Sequence, residues 1–170
     1  MKDATFIGGA CLVAIAIGGL LFFYGLEAHT GSSSGAPREG VAVSFSIIGE
    51  GTVAAGIEES ANFRIKNARE LEALWSLVYG NDVPAMPAVD FETEEILAVF
   101  DGQHPTGGYR IAVAGIYEDD EIRTVFIRHE MPDASCIVTE ALTSPFAIIV
   151  APKGAQMLSR EDETVTTSCN

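Results

Sequence analysis

The sequence predicts an α+β domain, with a mostly antiparallel β-sheet of six to seven strands and one main helix, preceded by an N-terminal transmembrane helix. Three observations predict this architecture. Residues 6–26 are apolar and uncharged, residues 67–80 have a helical period with capping signals, and several short apolar runs alternate with turn signals. Short turns between successive strands favour antiparallel pairing.

The apolar segment Phe6–Leu26 has 21 residues and no charge. A helix of this length spans roughly 30 Å, which matches the hydrocarbon core of a bilayer. A cleaved secretory signal usually has an apolar region of only about 7–15 residues, although LEA at 26–28 offers a weak cleavage site. We therefore expect residues 1–28 to be an uncleaved transmembrane anchor, with cleavage as the alternative.

Residues 29–40, HTGSSSGAPREG, are rich in glycine and serine, and they predict a flexible linker to a domain at 41–170. Lys2 precedes the apolar segment, and no Lys or Arg follows it before Arg38. Because positively charged flanks tend to stay in the cytoplasm, this difference favours an extracytoplasmic domain. The sequence thus predicts a single-pass protein of the cell membrane.

Acidic residues dominate the part of the chain beyond the apolar segment. The formal net charge is −14, and residues 27–170 contain all but one of the 24 Asp and Glu. Such a surface repels phosphate backbones, which argues against nucleic-acid binding. Solubility in a salty environment explains this charge as well as a basic partner does.

The domain is expected to begin with two strands and the helix. VAVSFSII at 41–48 is rich in β-branched residues and predicts the first strand, and ANFRIK at 61–66 predicts the second. In the helix at 67–80, Asn67 is a favourable N-cap and Glu70 completes a capping-box pattern. Gly80 provides a left-handed stop. Apolar residues recur with helical spacing at Leu71, Leu74, Trp75 and Val78.

The remaining runs predict four or five further strands. A continuous apolar run is typical of a buried strand, and two alternating runs on either side of the acidic turn EDDE (118–121) are typical of a hairpin. The predicted strands are ILAVFDG at 96–102, YRIAVAGIY at 109–117, IRTVFIRHE at 122–130, FAIIVAP at 146–152 and a short edge strand, ETVTT, at 163–167.

Two cysteines, Cys136 and Cys169, lie outside the apolar segment. In an exported domain such a pair is most simply a disulfide, with free thiols as the alternative. Closing a loop of about 33 residues would stabilise the fold by about 3–4 kcal/mol in the chain-entropy model, and it would order the polar tail from Ser159 onward. No third cysteine or nearby histidine completes a metal site, so the sequence predicts no metal and no other cofactor.

The segment DGQHPTGGYRI at 101–111 contains a glycine pair. A phosphate-binding loop needs a lysine and a following helix, or a G-x-G-x-x-G pattern in a βαβ unit. This segment has no lysine, and a strand follows it. Pro105 fixes one φ, and Gly107 and Gly108 permit positive φ, so these three residues predict a structural turn between two antiparallel strands.

The sequence predicts no catalytic residue and therefore no enzyme. Nucleophilic catalysis needs a serine or cysteine beside a base that a third group orients, and no serine lies in a G-x-S-x-G turn. His104 and His129 flank one hairpin without a companion motif. The carboxylates at 118–121 do not have the spacing of a calcium-binding loop.

Several segments together resemble the C-terminal domain of the protease complex subunit PrcB family. The resemblance covers about residues 62–153, and it implies a non-enzymatic accessory subunit of a surface protease complex. The family's namesake is a lipoprotein, whereas this chain has a predicted transmembrane anchor. The similar segments are LEALW at 71–75, VDF at 89–91, ILAVFDG at 96–102, PTGGYRI at 105–111 and LTSPFAIIVAPK at 142–153.

A second resemblance is to chagasin-like cysteine-protease inhibitors, and it implies inhibition as an alternative function. HPTGGY at 104–109 is similar to their NPTTGY loop, with His104 in place of Asn and Gly107 in place of the second Thr. SPF at 144–146 is similar to their R-P-[WF] loop, with Ser144 in place of Arg. The G-x-G-G loop of those inhibitors is missing from residues 110–143.

The two resemblances place the expected contacts with a protein partner on the loops at 103–109 and 143–146. The predicted partner-binding residues are His104, Thr106, Tyr109, Ser144 and Phe146.

The predicted orientation can be tested with a reporter protein fused after Asn170. We expect activity from a reporter that works only outside the cytoplasm, because Lys2 and the α-amine hold the N-terminus inside. Activity from a reporter that works only in the cytoplasm would contradict the orientation.

Overall fold

The computed structural model of this protein describes residues 40–169. The predicted anchor at 1–28 and all but the last residue of the predicted linker lie outside these described residues. No helix between residues 40 and 169 is long and apolar enough to cross a bilayer. The described elements, in chain order, are β1 (Val41–Ala42), β2 (Ser46–Gly51), β3 (Ala61–Ile65), α1 (Ala68–Tyr79), β4 (Glu94–Phe100), β5 (Arg110–Glu118), β6 (Ile122–Pro132), β7 (Phe146–Pro152) and β8 (Met157–Thr167).

The eight described strands form two sheets of four, rather than one sheet of six or seven strands. Sheet 1 has the order β2-β7-β4-β3, and sheet 2 has the order β1-β5-β6-β8. Helix α1 packs on one face of sheet 1, and sheet 2 packs on the other. Between residues 40 and 169, the mostly β composition and the one helix agree with the prediction.

The surroundings of strand β4 explain why its sequence is apolar at every position and does not alternate. Ile96, Ala98 and Phe100 face the helix, and Leu97 and Val99 face sheet 2. Both faces are covered, so every position from Glu95 to Phe100 is buried. Strands β5 and β6 instead alternate, because only one face of sheet 2 lies on the core.

The predicted helix is confirmed at both ends. Asn67 Oδ1 accepts a hydrogen bond from the Glu70 backbone N–H at 3.0 Å, and the Glu70 carboxylate accepts one from the Lys66 backbone N–H. Gly80 ends the helix with φ of 58° and donates its N–H to the Ser76 carbonyl. The four apolar residues predicted at helical spacing are all buried against sheet 1.

The prediction of one strand at 41–48 is wrong. β1 pairs with β5 in sheet 2, and β2 pairs with β7 in sheet 1, so the chain crosses between the sheets at 43–45. Val43 and Phe45 turn toward the core between the sheets during this crossing. A β-branched composition indicates extended chain, but it does not indicate which sheet each half joins.

The prediction of a short final strand at 163–167 is also incomplete. β8 has 11 residues, and it pairs with β6 in parallel from Ile122↔Met157 to Pro132↔Thr167. The disulfide between Cys136 and Cys169 is confirmed, with 5.3 Å between the Cα atoms. The tail is therefore ordered by backbone pairing along its length as well as by the disulfide.

A buried ion network joins the two sheets near the start of β4. Glu95 is fully buried and accepts hydrogen bonds from Arg64 Nε at 2.7 Å and from Arg123 Nη1 at 2.9 Å. Arg123, on β6, also donates through Nε to Glu118 at 2.7 Å. A buried charge is tolerated only when paired and hydrogen-bonded, so each member of this network depends on the others.

We therefore expect Glu95→Gln to lower the free energy of unfolding by about 3–5 kcal/mol, because it leaves two guanidinium groups facing a neutral side chain. Urea unfolding of the full chain in detergent measures this change. Glu121→Gln, at an exposed turn, is the control and should change stability by at most about 0.5 kcal/mol. Equal effects of the two substitutions would contradict the importance of the network.

Candidate protein-binding site

The loop from Asp101 to Tyr109, here called the 101–109 loop, connects sheet 1 to sheet 2. It leaves β4 and enters β5, which are not neighbours in either sheet. The prediction that it turns between two paired antiparallel strands is therefore wrong. Each flanking strand was predicted to within two residues at either end, but the sequence pattern of a strand does not indicate its sheet.

The 101–109 loop pairs with the segment that precedes β7. The His104 N–H donates to the Thr143 carbonyl at 2.7 Å, and the Thr143 N–H donates back to the His104 carbonyl at 3.0 Å. Thr143 Oγ1 also donates to the Thr106 carbonyl at 2.8 Å. The two loops expected to contact a partner thus lie side by side.

Two aromatic side chains of the loop are fixed against each other. The rings of His104 and Tyr109 stack with 3.9 Å between centroids and 3° between planes. His104 Nε2 lies 2.7 Å from Asp101 Oδ2, which holds the imidazole in place. His104, Thr106 and Tyr109 all remain partly exposed, so each can be reached from outside.

The other two predicted contact residues are buried. Ser144 is 5% exposed and donates its hydroxyl to the Ile57 carbonyl at 2.5 Å. Phe146 is 2% exposed and packs in the core beneath the helix, beside Phe100. A partner docking on this structure does not reach either side chain. The strand beginning at Phe146 was predicted, but the SPF motif did not show that Ser144 and Phe146 are covered by other parts of the chain.

The glycines of the loop differ in backbone conformation and in the space around them. Gly108 has φ of 92°, as predicted, whereas Gly107 does not have a positive φ. At Gly107 an added Cβ would collide with Thr139 Oγ1, so a larger residue there requires the Thr139 side chain to move. Gly102, with φ of 87°, also needs the left-handed region, and sequence reasoning missed it.

A polar relay connects the loop to two strands of sheet 2. Asp101 Oδ1 lies 2.5 Å from His129 Nδ1 on β6, and His129 Nε2 lies 3.1 Å from Asp162 Oδ1 on β8. Sequence reasoning noted His129 but not these partners. The alternation of β6 could have indicated that His129 has partners within the domain, because it places this side chain on the inward face of sheet 2, opposite Ile111.

The hydrogen bonds of this relay favour the charged forms of His129 and Asp101. Hydrogen bonds to Asp101 and Asp162 raise the pKa of His129 to about 9. Burial opposes ionisation of Asp101, but hydrogen bonds from His129 and His104 outweigh burial and hold the pKa of that carboxyl below its usual value. At neutral pH the relay is therefore an ion pair. Between residues 40 and 169, no group of His, Cys, Asp or Glu is arranged to hold a metal ion.

Three exposed apolar side chains, here called the apolar rim, flank the loop: Val53, Ile137 and Leu142. Their exposed fractions are 59%, 101% and 62%. Leu142 precedes Thr143, and Val53 forms a backbone bridge with Ser144. Ile137 precedes Val138, whose side chain lies against Gly108 of the loop. Exposed large apolar residues on adjoining segments are candidates for a protein contact surface.

These features define a disulfide-bonded, mostly β domain with a stiffened loop and exposed apolar residues at one end. Residues 96–152 match the family model described as PrcB C-terminal. The match runs from β4 through the 101–109 loop to the end of β7, and it confirms the resemblance found in the sequence. No curated protein and no solved structure gave a significant match.

The raised pKa of His129 predicts a pH-dependent stability. Its folded-state pKa of about 9 lies above the ordinary histidine value of 6.5, so the stabilisation is complete below pH 6.5 and is lost as pH rises through 9. We expect a loss of about 3 kcal/mol over this range. Urea midpoints of the full chain in detergent at pH 6 and pH 9.5 measure it.

The control for this prediction is His129→Gln, which cannot take up the proton. Its stability should be lower than that of the unmodified chain at pH 6 and should change much less between the two pH values. Parallel pH profiles for the two chains would show that His129 does not carry the effect.

Proposed function

We propose that this protein is a membrane-anchored, extracytoplasmic accessory domain that acts by binding a protein and has no enzymatic activity of its own. The observation that carries the proposal is a rigid, partly exposed loop beside the apolar rim. The match to the PrcB C-terminal family supports a protease complex as the partner.

The 101–109 loop is well suited to binding because it is already ordered. Its backbone is paired with Thr143, and its rings are stacked and hydrogen-bonded. A preordered loop loses little conformational entropy when a partner docks, so more of the contact energy contributes to affinity. Aromatic and aliphatic side chains in the centre of such a surface are typical of interface hot spots.

The charges around this surface indicate which charge a partner would carry at its contact site. Glu58, whose carbonyl accepts a hydrogen bond from the Gln103 N–H, and its neighbour Glu59 are exposed beside the loop. Glu140 is exposed two residues before Leu142. Complementary charge steers association, so we propose that the partner presents an apolar patch with basic residues at its margin.

The geometry of the polar relay supports a non-enzymatic role. Both ring nitrogens of His129 face carboxylates, one on Asp101 and one on Asp162. A general base needs a free nitrogen within reach of the substrate proton. The relay therefore holds the loop to sheet 2 and leaves His129 without a nitrogen for proton transfer.

The structure favours the accessory role over inhibition of papain-like proteases. An inhibitor of the chagasin type uses neighbouring loops to enter an active site, and the two loops do lie together here. Ser144 and Phe146 are buried, however, so the second loop does not present its two predicted contact residues. Assay of papain with micromolar full chain in detergent separates the two functions: we expect no stoichiometric inhibition.

Crosslinking and mass spectrometry from native membranes tests the proposal directly. We expect a protease subunit among the crosslinked proteins. The double substitution Ile137→Asp and Leu142→Asp should reduce its recovery at least tenfold, because two carboxylates replace exposed apolar contacts. Met157→Asp is the matched control, since Met157 is 72% exposed at the opposite end of sheet 2.

Equal recovery from the double variant and from Met157→Asp would remove the apolar rim from the interface. The contribution of the loop is measured separately with His104→Ala combined with Tyr109→Ala, which removes the stacked rings. Unchanged recovery from that variant would show that the 101–109 loop only turns the chain.

A further inference from the structure

The segment at 133–142, between β6 and Thr143, carries two of the three side chains of the apolar rim. These are Ile137 and Leu142, and the segment that holds them has neither helix nor strand. None of the residues at 133–142 is buried, so no side chain of the segment is fixed in the core. The position of the two rim residues therefore depends on a few local bonds rather than on packing.

Few backbone hydrogen bonds connect this segment to the rest of the domain. At its start, the Asp133 N–H donates to the Thr167 carbonyl at 3.0 Å. Between residues 134 and 142, one backbone hydrogen bond reaches another part of the described chain, from the Gly107 N–H to the Thr139 carbonyl at 2.9 Å. That bond joins the segment to the 101–109 loop, so a movement of Thr139 also affects the loop.

The Cys136–Cys169 disulfide is the covalent crosslink of this segment, and it ties the segment to the chain just after β8. Cys169 is exposed and Cys136 is partly exposed, so a thiolate in solution can reach the bond. β8 has other support, because all 11 of its residues pair with β6 and two side-chain ion pairs join the same strands. Breaking the disulfide therefore frees the segment and leaves both sheets in place.

We propose that the Cys136–Cys169 disulfide is a redox switch for the apolar rim, in which reduction by a dithiol releases residues 133–142 together with Ile137 and Leu142. One thiolate of the dithiol attacks Cys169 Sγ, the S–S bond breaks, and Cys136 leaves as a thiolate that takes up a proton. The second thiol of the reductant then displaces the Cys169 thiolate. The two cysteines gain two electrons and two protons, and the dithiol is oxidised to a disulfide.

The effect of this switch on binding rests on the proposed function. A side chain that is already fixed loses less conformational entropy on docking than a mobile one does. The disulfide form presents Ile137 and Leu142 in place beside the 101–109 loop, whereas the reduced form must order them again when the partner docks. Reduction therefore lowers the affinity for the partner, and reoxidation restores it.

The conformational step is tested in the full chain in detergent, before and after reduction with dithiothreitol. We expect reduction to accelerate hydrogen exchange of the Gly107 amide at least tenfold, because its acceptor on Thr139 is released. Cleavage after the exposed Glu140 by a glutamate-specific protease should accelerate by a similar factor. Two internal controls should not change: the fluorescence of Trp75, which is buried beneath the helix face, and cleavage after Glu121, in the turn between β5 and β6.

The double substitution Cys136→Ser and Cys169→Ser separates the switch from other effects of the dithiol. This variant should show the fast exchange and cleavage without dithiothreitol, and no further change with it. In crosslinking from native membranes it should recover at least tenfold less of the protease subunit. Cys11→Ser is the matched control, because it removes the remaining cysteine of the chain and keeps the disulfide, and it should behave as the unmodified chain does.

Four results would overturn the switch. The disulfide resists dithiothreitol in the folded chain; Gly107 exchange and cleavage after Glu140 stay the same once it is reduced; Trp75 fluorescence changes to that of an unfolded chain; or the double serine variant and Cys11→Ser recover equal amounts of partner. Failure of the proposed function is distinguishable, because recovery of a protease subunit would then be absent from the unmodified chain while the exchange and cleavage measurements still respond to reduction.

Discussion

Strand β4 is covered on both faces, by helix α1 on one side and by sheet 2 on the other, and polar groups near its ends therefore lie away from water. Glu95 at one end and Asp101 just beyond the other both find partners on β6, namely Arg123 and His129. An apolar layer fills the space between these two polar links. The pairing fixes how sheet 2 lies on sheet 1, because neither carboxylate tolerates burial without its cation.

The 101–109 loop is ordered because of the pairing between Asp101 and His129. Asp101 is held between His129 and His104, so the first residue of the loop is anchored to sheet 2 before the chain arrives there. The backbone bridge to Thr143 then fixes the middle of the loop, and stacking on Tyr109 fixes its end. A surface loop secured at three points is a stable platform for a partner, in keeping with the proposed accessory role.

Local signals in the sequence were sufficient for the helix, for β3 and for β7, whose caps or apolar runs define them without reference to the rest of the chain. They were insufficient for residues 41–48 and for β8, where pairing partners distant in sequence decide the structure. Of the predicted contact residues, His104, Thr106 and Tyr109 are accessible, whereas Ser144 and Phe146 are buried. The accessibility of a residue depends on which other parts of the chain pack over it, and a short sequence motif does not show those parts.

The sequence by itself determined the resemblance to the PrcB C-terminal family over residues 96–152, the helix at 67–80, the disulfide pair and the approximate position of most strands, because motifs, capping, periodicity and cysteine count can be read from the chain alone. Only the tertiary structure decided that the strands divide into two sheets, that β8 runs parallel to β6, and that Asp101, His129 and Asp162 form one relay. The relay and the β6–β8 pairing join residues 28 to 35 positions apart, and only the packed chain brings such residues within hydrogen-bonding distance.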